Sequence, residues 1–319
     1  MAIESVAVIG AGQWGTALAQ AVAIAGRRVT LIGRDSAALA EINRDHTNSK
    51  HLGPQRLSPM ISASNRYSGA DLIVLAVPAQ ASRAALEALG PVGEPVVLTA
   101  KGLEARTLLR QSEILAEAAP DAVPYVLSGP SFAVDVAAGR PTAVTLAGDD
   151  PAATAEIAAF LAGPTFRPYA ASDRVGVELC GALKNIYALA AGAVEGARLG
   201  ASARAGLIAR AFAELGRILP ALGGDAGTLM GLAGLGDLTL SCTSTQSRNY
   251  RYGVALGRGE APPPELAEGV ATAPVAQRLA RGAGVDAPLI DAVNLLLTKT
   301  QSIERIVAGL MSRPLKRET

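Results

Sequence analysis

SVAVIGAGQWGTALAQAVAIAGRRVTLIGR, residues Ser5–Arg34, decides the fold of this 319-residue chain. An apolar β-rich run, Val6–Ile9, leads through a glycine turn into a helical run, Trp14–Gly26, and then into a second β-rich run, Val29–Ile32. Gly10, Gly12 and Gly15 spell G-x-G-x-x-G directly after the first run. In a dinucleotide-binding unit the first glycine makes the tight turn, the second lets backbone approach a pyrophosphate, and the third lets helix and strand pack closely. The helix N-terminus then offers free N–H groups and a partial positive charge to the phosphates. A glycine turn that merely packs well would show the same three residues, but strands on both sides at βαβ spacing favour the nucleotide site.

The residue after the second run bears on cofactor choice. A carboxylate there takes the ribose 2′-OH of NAD, whereas this chain has Arg34, with Asp35 one place later. An arginine pairs with a 2′-phosphate or stacks on adenine, so NADP(H) is favoured and NAD(H) stays open, as does a merely solvated Arg34.

Length points to two domains with ample core. Half the residues are hydrophobic and 18% are charged, the composition of a globular chain. Lys and Arg number 29 against 28 Asp and Glu, so no global basic field exists to attract nucleic acid or an anionic membrane. Ser5–Gly26 carries no charge, a length at which a membrane span or signal peptide must be weighed; the glycines, Gln13 and Gln20 interrupt it, and Glu4 replaces the basic residue a signal peptide needs. The expectation is a cytoplasmic protein without membrane insertion. Cys180 and Cys242, with His46 and His51, are too few and too scattered for a metal site or a disulfide framework. Scarce histidine means that a dehydrogenase built on this chain takes its proton from lysine; His46 and His51 read as loop residues, with His51 a candidate neighbour of the cofactor.

Further along, Ser36–Asn43 reads as helix and residues 44–68 as loop or short strand. Asp71–Val77, Pro95–Ala100 and Tyr125–Leu127 are apolar runs of the kind buried on both faces of a parallel sheet, with helical runs Ser82–Leu89 and Leu108–Ala119 between them. That rhythm predicts an α/β fold with an N-terminal doubly wound, Rossmann-like sheet. Ligands bind beyond the carboxyl ends of such strands, so Gly10–Gly15, Lys101-Gly102 and Ser128-Gly129-Pro130-Ser131 should converge on one crevice. From about Ala171 the chain reads as helices: Arg174–Gly196, Ala203–Leu222, Gln246–Leu256, Ala273–Gly282, Ala287–Leu297 and Ile303–Leu310. Val175, Leu179, Leu183, Ile186 and Ala190 give the first of these one buried face. The expected domains are 1–170, binding NAD(P), and 171–319, helical and substrate-binding.

Within this second part, Lys184 is the only charge between Glu178 and Glu195. Partial burial, and a second lysine such as Lys101, would lower its pKa toward neutrality; a lysine that snorkels from an apolar helix is the plainer alternative. Ser247, Arg248 and Asn249 open a helix, where guanidinium, amide and free N–H groups make a phosphate pocket or an ordinary cap. Asp237 follows GLAGLG and either orients a lysine or caps a turn.

With these residues in view, GAGQWGTALA, AKGLE, SGPSFA, ELCGALKNIYALAAG and GLAGLGDLTLSCTSTQSRNYRYG, in this order, resemble the bacterial NAD(P)-dependent glycerol-3-phosphate dehydrogenases from Val6 to about Glu268. The resemblance implies reversible hydride transfer between NAD(P)H and dihydroxyacetone phosphate, giving sn-glycerol 3-phosphate for phospholipid synthesis, and a homodimer. It implies Lys184 as proton donor and Lys101 as the group that touches both substrate and nicotinamide. Gly129, Ser131, Asp237, Ser247, Arg248 and Asn249 then line the substrate, the last two on its phosphate. Gln13, Trp14, Arg34, Ala133, Arg248 and Glu268 then join the glycines around the cofactor. Gln13 stands where the family usually has serine, and Leu266-Ala267-Glu268-Gly269 where it shows VVEG.

Overall fold

In the structure, a computed structural model that describes residues 3–314, the chain folds around one eight-stranded sheet. The outer ends of the two expected domains, residues 1–2 and 315–319, lie outside the described residues. The strands are β1 (Val6–Ile9), β2 (Val29–Ile32), β3 (Ile61–Ser64), β4 (Leu72–Leu75), β5 (Pro95–Leu98), β6 (Val123–Ser128), β7 (Thr142–Ala147) and β8 (Phe166–Ala171). Their order is β3-β2-β1-β4-β5-β6-β7-β8, parallel throughout except where β7 meets β6 antiparallel. The order reverses between β1 and β4, which is where a doubly wound sheet opens its ligand crevice.

Alternation along the strands sorts the two faces. Val6 and Val8, Leu72 and Val74, and Tyr125 and Leu127 pack with α1 (Gln13–Ile24) and α7 (Pro151–Leu161). Ala7 and Ile9, Ile73 and Leu75, and Val96 and Leu98 pack with α4 (Ser82–Leu89), α5 (Gln111–Ala118) and α8 (Arg174–Gly196). Helix α8 therefore belongs at once to the core of the sheet and to the centre of the helical half.

The helical half also contains α9 (Ala201–Ala221), α10 (Asp237–Thr243), α11 (Arg248–Gly257), α12 (Glu268–Gly282), α13 (Pro288–Leu297) and α14 (Ile303–Met311). Helix α8 is long and apolar enough to cross a membrane, but its apolar window is wholly buried inside the fold. This corrects the single buried face expected from its periodicity: every residue from Gly176 to Val194 is buried. A helix hydrophobic all round is a core helix, and α8 is wrapped by the sheet and its sister helices.

Small residues let α11 lie against α8. A Cβ on Gly253 would stand 2.0 Å from the Leu189 carbonyl oxygen, and one on Gly192 2.1 Å from that of Tyr250. Backbone meets backbone there, so α11 lies along the C-terminal third of α8.

Other elements depart from the sequence reading for local reasons. Helix α5 begins three residues late because Leu108 has φ +68°, a left-handed conformation that ends one turn before Arg110 and Glu113 open the next. Helix α12 begins at Glu268, five residues before the expected start, and carries Pro274 inside it. The stretch β7–α7–β8, with Asp150 accepting from Ala152 N and Ala153 N to cap α7, had no strand signal strong enough to read.

Candidate active site

The turn between β1 and α1 gives each glycine a distinct task. Gly10 has φ +116°, and a Cβ on it would lie 2.6 Å from Ala76 O at the end of β4. A Cβ on Gly15 would lie 1.9 Å from Gly10 O, so only hydrogen fits between helix and turn. A Cβ on Gly12 meets nothing within 4 Å: it faces open space at the helix N-terminus, where no side chain caps the free N–H groups. An open backbone surface with unspent donors fits a dinucleotide pyrophosphate. Two buried polar atoms without hydrogen-bond partners, Trp14 Nε1 and Glu268 Oε2, also fit a bound cofactor. Ala133 opens α6 (Ala133–Ala137), which packs against α1 and places it on the same apolar cluster as Trp14 and Ala76.

Beyond β2, Arg34 is exposed and makes no hydrogen bond or ion pair among the described residues. Asp35 caps α2 (Ser36–Asp45) by accepting from Ala38 N at 3.2 Å, and its other oxygen accepts from Lys50 Nζ at 2.7 Å. The polar segment that follows folds back on the glycine turn. Asn48 Nδ2 donates to Ala11 O and to Thr16 Oγ1, and Gln13 Nε2 donates to His51 O at 3.1 Å. Gln13 and His51 are thus neighbours at the mouth of the crevice.

The second half of the site is a closed cluster of side chains. Lys101, just past β5, donates from Nζ to Asp237 Oδ2 at 2.6 Å and to Gly129 O at 2.9 Å. Lys184, in mid-α8, donates to the other oxygen of the same carboxylate, Asp237 Oδ1, at 2.7 Å and to Ser241 Oγ at 2.6 Å. Ser131 Oγ donates to Gly129 O at 3.0 Å, so Lys101, Lys184, Asp237, Gly129 and Ser131 form one connected group.

The fold holds each member in place. Gly129 has φ +147° and would clash with Val144 if it bore a Cβ, and Gly181 lets α8 approach Ser128 so closely that a Cβ there would lie 2.7 Å from its Oγ. A π-helical turn, Leu232–Gly236, delivers Asp237 to the start of α10, and Ser241 follows one turn later on the same face.

Charge follows from this geometry. Burial pushes the Lys101 ammonium down, to about 8, with Lys184 adding repulsion and Asp237 opposing both. Burial also pushes against the Asp237 charge, but Lys101 and Lys184 overcome it and hold that carboxyl below the usual range. Glu268 is raised by burial, against the pull of the Ala79 N–H it accepts at 3.1 Å and the charge of Arg248.

On the remaining side, Ser247 is the N-cap of α11, its Oγ accepting from Tyr250 N. Arg248, the first residue of α11, is exposed and makes no hydrogen bond among the described residues, while Asn249 is buried. Asn249 Oδ1 accepts from Gly269 N, Asn249 Nδ2 donates to Asn185 Oδ1, and Asn185 Nδ2 donates to Lys101 O. This line of amides ties the start of α11 to the backbone of Lys101 and leaves Asn249 one N–H.

Residue-by-residue sequence reading missed Asn185, Ser241 and Lys50. Ser241 was within reach, being four places from Asp237 and so on the same helical face. Lys50 carried no signal, since its partner is fifteen residues away across an irregular segment.

Comparison with known proteins adds family evidence. Residues 5–154 match the family described as NAD-dependent glycerol-3-phosphate dehydrogenase N-terminus, and residues 173–308 match its C-terminus. A Brucella canis protein called glycerol-3-phosphate dehydrogenase [NAD(P)+] is 50% identical, covering 98% of this chain and 98% of its own. One of the same description from Caulobacter vibrioides is 48% identical over the whole of both chains. The crystal structure of glycerol-3-phosphate dehydrogenase from Coxiella burnetii superposes with a TM-score of 0.91 at 34% identity, covering 98% of this chain and 99% of that one.

Proposed function

The chain belongs to the NAD-dependent glycerol-3-phosphate dehydrogenase family, and from that premise we propose how its side chains divide the work. Its reaction is the NAD(P)H-dependent reduction of dihydroxyacetone phosphate to glycerol 3-phosphate. The nicotinamide, when bound, supplies a hydride to the C2 carbon.

The observation that carries the assignment of roles is one carboxylate, Asp237, gripping two ammonium groups. Each ammonium has three protons and spends two within the cluster. Lys184 turns its third toward the C2 oxygen and gives it up as charge develops there. Lys101 turns its third to the same carbonyl and polarises it, while Gly129 and Ser131 bound the pocket on that side. Asp237 and Ser241 fix the direction of Lys184. A positioned proton donor of this kind contributes about 10²–10⁴-fold to the rate.

The substrate phosphate rests on the N-terminus of α11, against the guanidinium of Arg248, the spare N–H of Asn249 and the Ser247 hydroxyl. Gly10, Gly12, Gly15, Gln13, Trp14, Arg34, Ala133 and Glu268 hold the cofactor, with Arg248 and Lys101 touching both ligands. NADPH is the preferred form, because Arg34 is free to pair and the Asp35 charge is already compensated by Lys50. We place the division between the cofactor-binding and substrate-binding domains at residue 170. The resemblance supports a cytoplasmic homodimer whose product feeds glycerophospholipid synthesis; sedimentation tests the dimer.

Loss of absorbance at 340 nm reads the reaction, and Arg248→Ala tests the phosphate pocket. Removing a guanidinium–phosphate contact should raise KM for dihydroxyacetone phosphate about tenfold to a hundredfold and that for a carboxylate ketone far less. Equal effects on both would remove Arg248 from the phosphate.

A further inference from the structure

Resting on the NADPH reading above, the geometry points to Lys50 as a specificity-determining residue: with Arg34 it forms the subsite for the cofactor 2′-phosphate, and Asp35 is the counter-ion that holds it there. In a dinucleotide fold the carboxylate that follows the second strand receives the adenosine ribose. Both oxygens of Asp35 are engaged, one on the cap of α2 and one on Lys50 at 2.7 Å, and the Lys50 ammonium compensates the carboxylate charge. The ribose hydroxyls therefore meet no uncompensated negative charge at this point. They meet a neutralised carboxylate, the two remaining N–H donors of Lys50 and the unengaged guanidinium of Arg34.

Lys50 reaches this place because its short helix, α3 (Ser49–Leu52), is tied down on both sides. Glu41 accepts from Ser49 N at 2.8 Å, Ser49 Oγ at 3.0 Å and Thr47 Oγ1 at 2.7 Å, fixing the helix to α2. Fully buried Asn48, bonded to Ala11 O and Thr16 Oγ1, fixes it to the glycine turn. A cation held between the end of β2 and the pyrophosphate turn lies where the adenosine end of the cofactor crosses the sheet. Lys50 and Asp35 are 64% and 40% exposed, so their ion pair adds little to folding. Its consequence falls on ligand charge: without Lys50, the Asp35 carboxylate faces a 2′-phosphate uncompensated.

The test is equilibrium binding of NADPH, NADH and adenosine 2′,5′-bisphosphate, followed by quenching of Trp14, the single tryptophan. Lys50→Gln should weaken NADPH and adenosine 2′,5′-bisphosphate about tenfold, leave NADH within about twofold, and leave the thermal midpoint in place. Lys50→Arg should restore the preference, and Lys50→Glu should invert it. Equal weakening of NADPH and NADH by Lys50→Gln would overturn the inference, because Lys50 would then only prop α3. Loss of NADPH binding in Arg34→Gln with none in Lys50→Gln would also overturn it, while leaving the NADPH reading intact. Wild-type protein that binds NADH as tightly as NADPH would overturn the NADPH reading itself.

Discussion

The two sides of the crevice are built on opposite principles. On the cofactor side, backbone does the work: Gly12 faces open space, the first N–H groups of α1 are uncapped, and Trp14 Nε1 and Glu268 Oε2 have no partner. In the lysine cluster, side chains already hold one another, with Asp237 gripping both lysines. The first side is left incomplete for a ligand to finish. The second is preassembled, so in the proposed reaction its lysines need little rearrangement when substrate arrives.

That contrast makes ranked demands. The largest effect belongs to the preassembled side: Lys184→Ala should lower kcat by about 10²–10⁴ and leave the dissociation constant of NADPH nearly unchanged. Stopped-flow turnover and fluorescence titration on the same preparation check both. An unchanged kcat would remove Lys184 from the reaction.

Next comes a pair of substitutions in one turn. Gly15→Ala drives a methyl to 1.9 Å from Gly10 O and should destabilise the fold by about 1–3 kcal/mol, seen in the denaturation midpoint. Gly12→Ala adds the same methyl where the protein has nothing within 4 Å, so the midpoint should hold while the Kd for NADPH rises. Equal losses of stability would break the distinction between packing and ligand-facing glycines.

The same division explains what the sequence could tell. Gly10, Gly12 and Gly15 sit within six residues and their spacing encodes their geometry, so the sheet and the glycine turn that opens α1 were legible. Lys101, Lys184 and Asp237 are far apart in the chain; residue chemistry offered them as possible neighbours, and only the family resemblance gave them a common site. Their meeting depends on tertiary contacts, such as the close approach of Gly181 in α8 to Ser128 at the end of β6, that no local period reports. Period also misled at α8, because a helix buried on every side shows a stripe only by accident of its small residues. Lys50 was invisible for a third reason: its role comes from an irregular segment folded back by Asn48.

The central claim is that one carboxylate, Asp237, holds both lysines in place and sets the charge of Lys101. The most direct measurement is the pH dependence of kcat/KM for dihydroxyacetone phosphate at saturating NADPH, in the wild type and in Asp237→Asn. Lys101 has its pKa lowered to about 8 and is protonated below it, so the rate should fall as pH rises through about 8. Asp237 raises that value against burial and Lys184, so removing its charge should move the falling limb to lower pH. A limb that stays put or moves upward in Asp237→Asn would contradict the account.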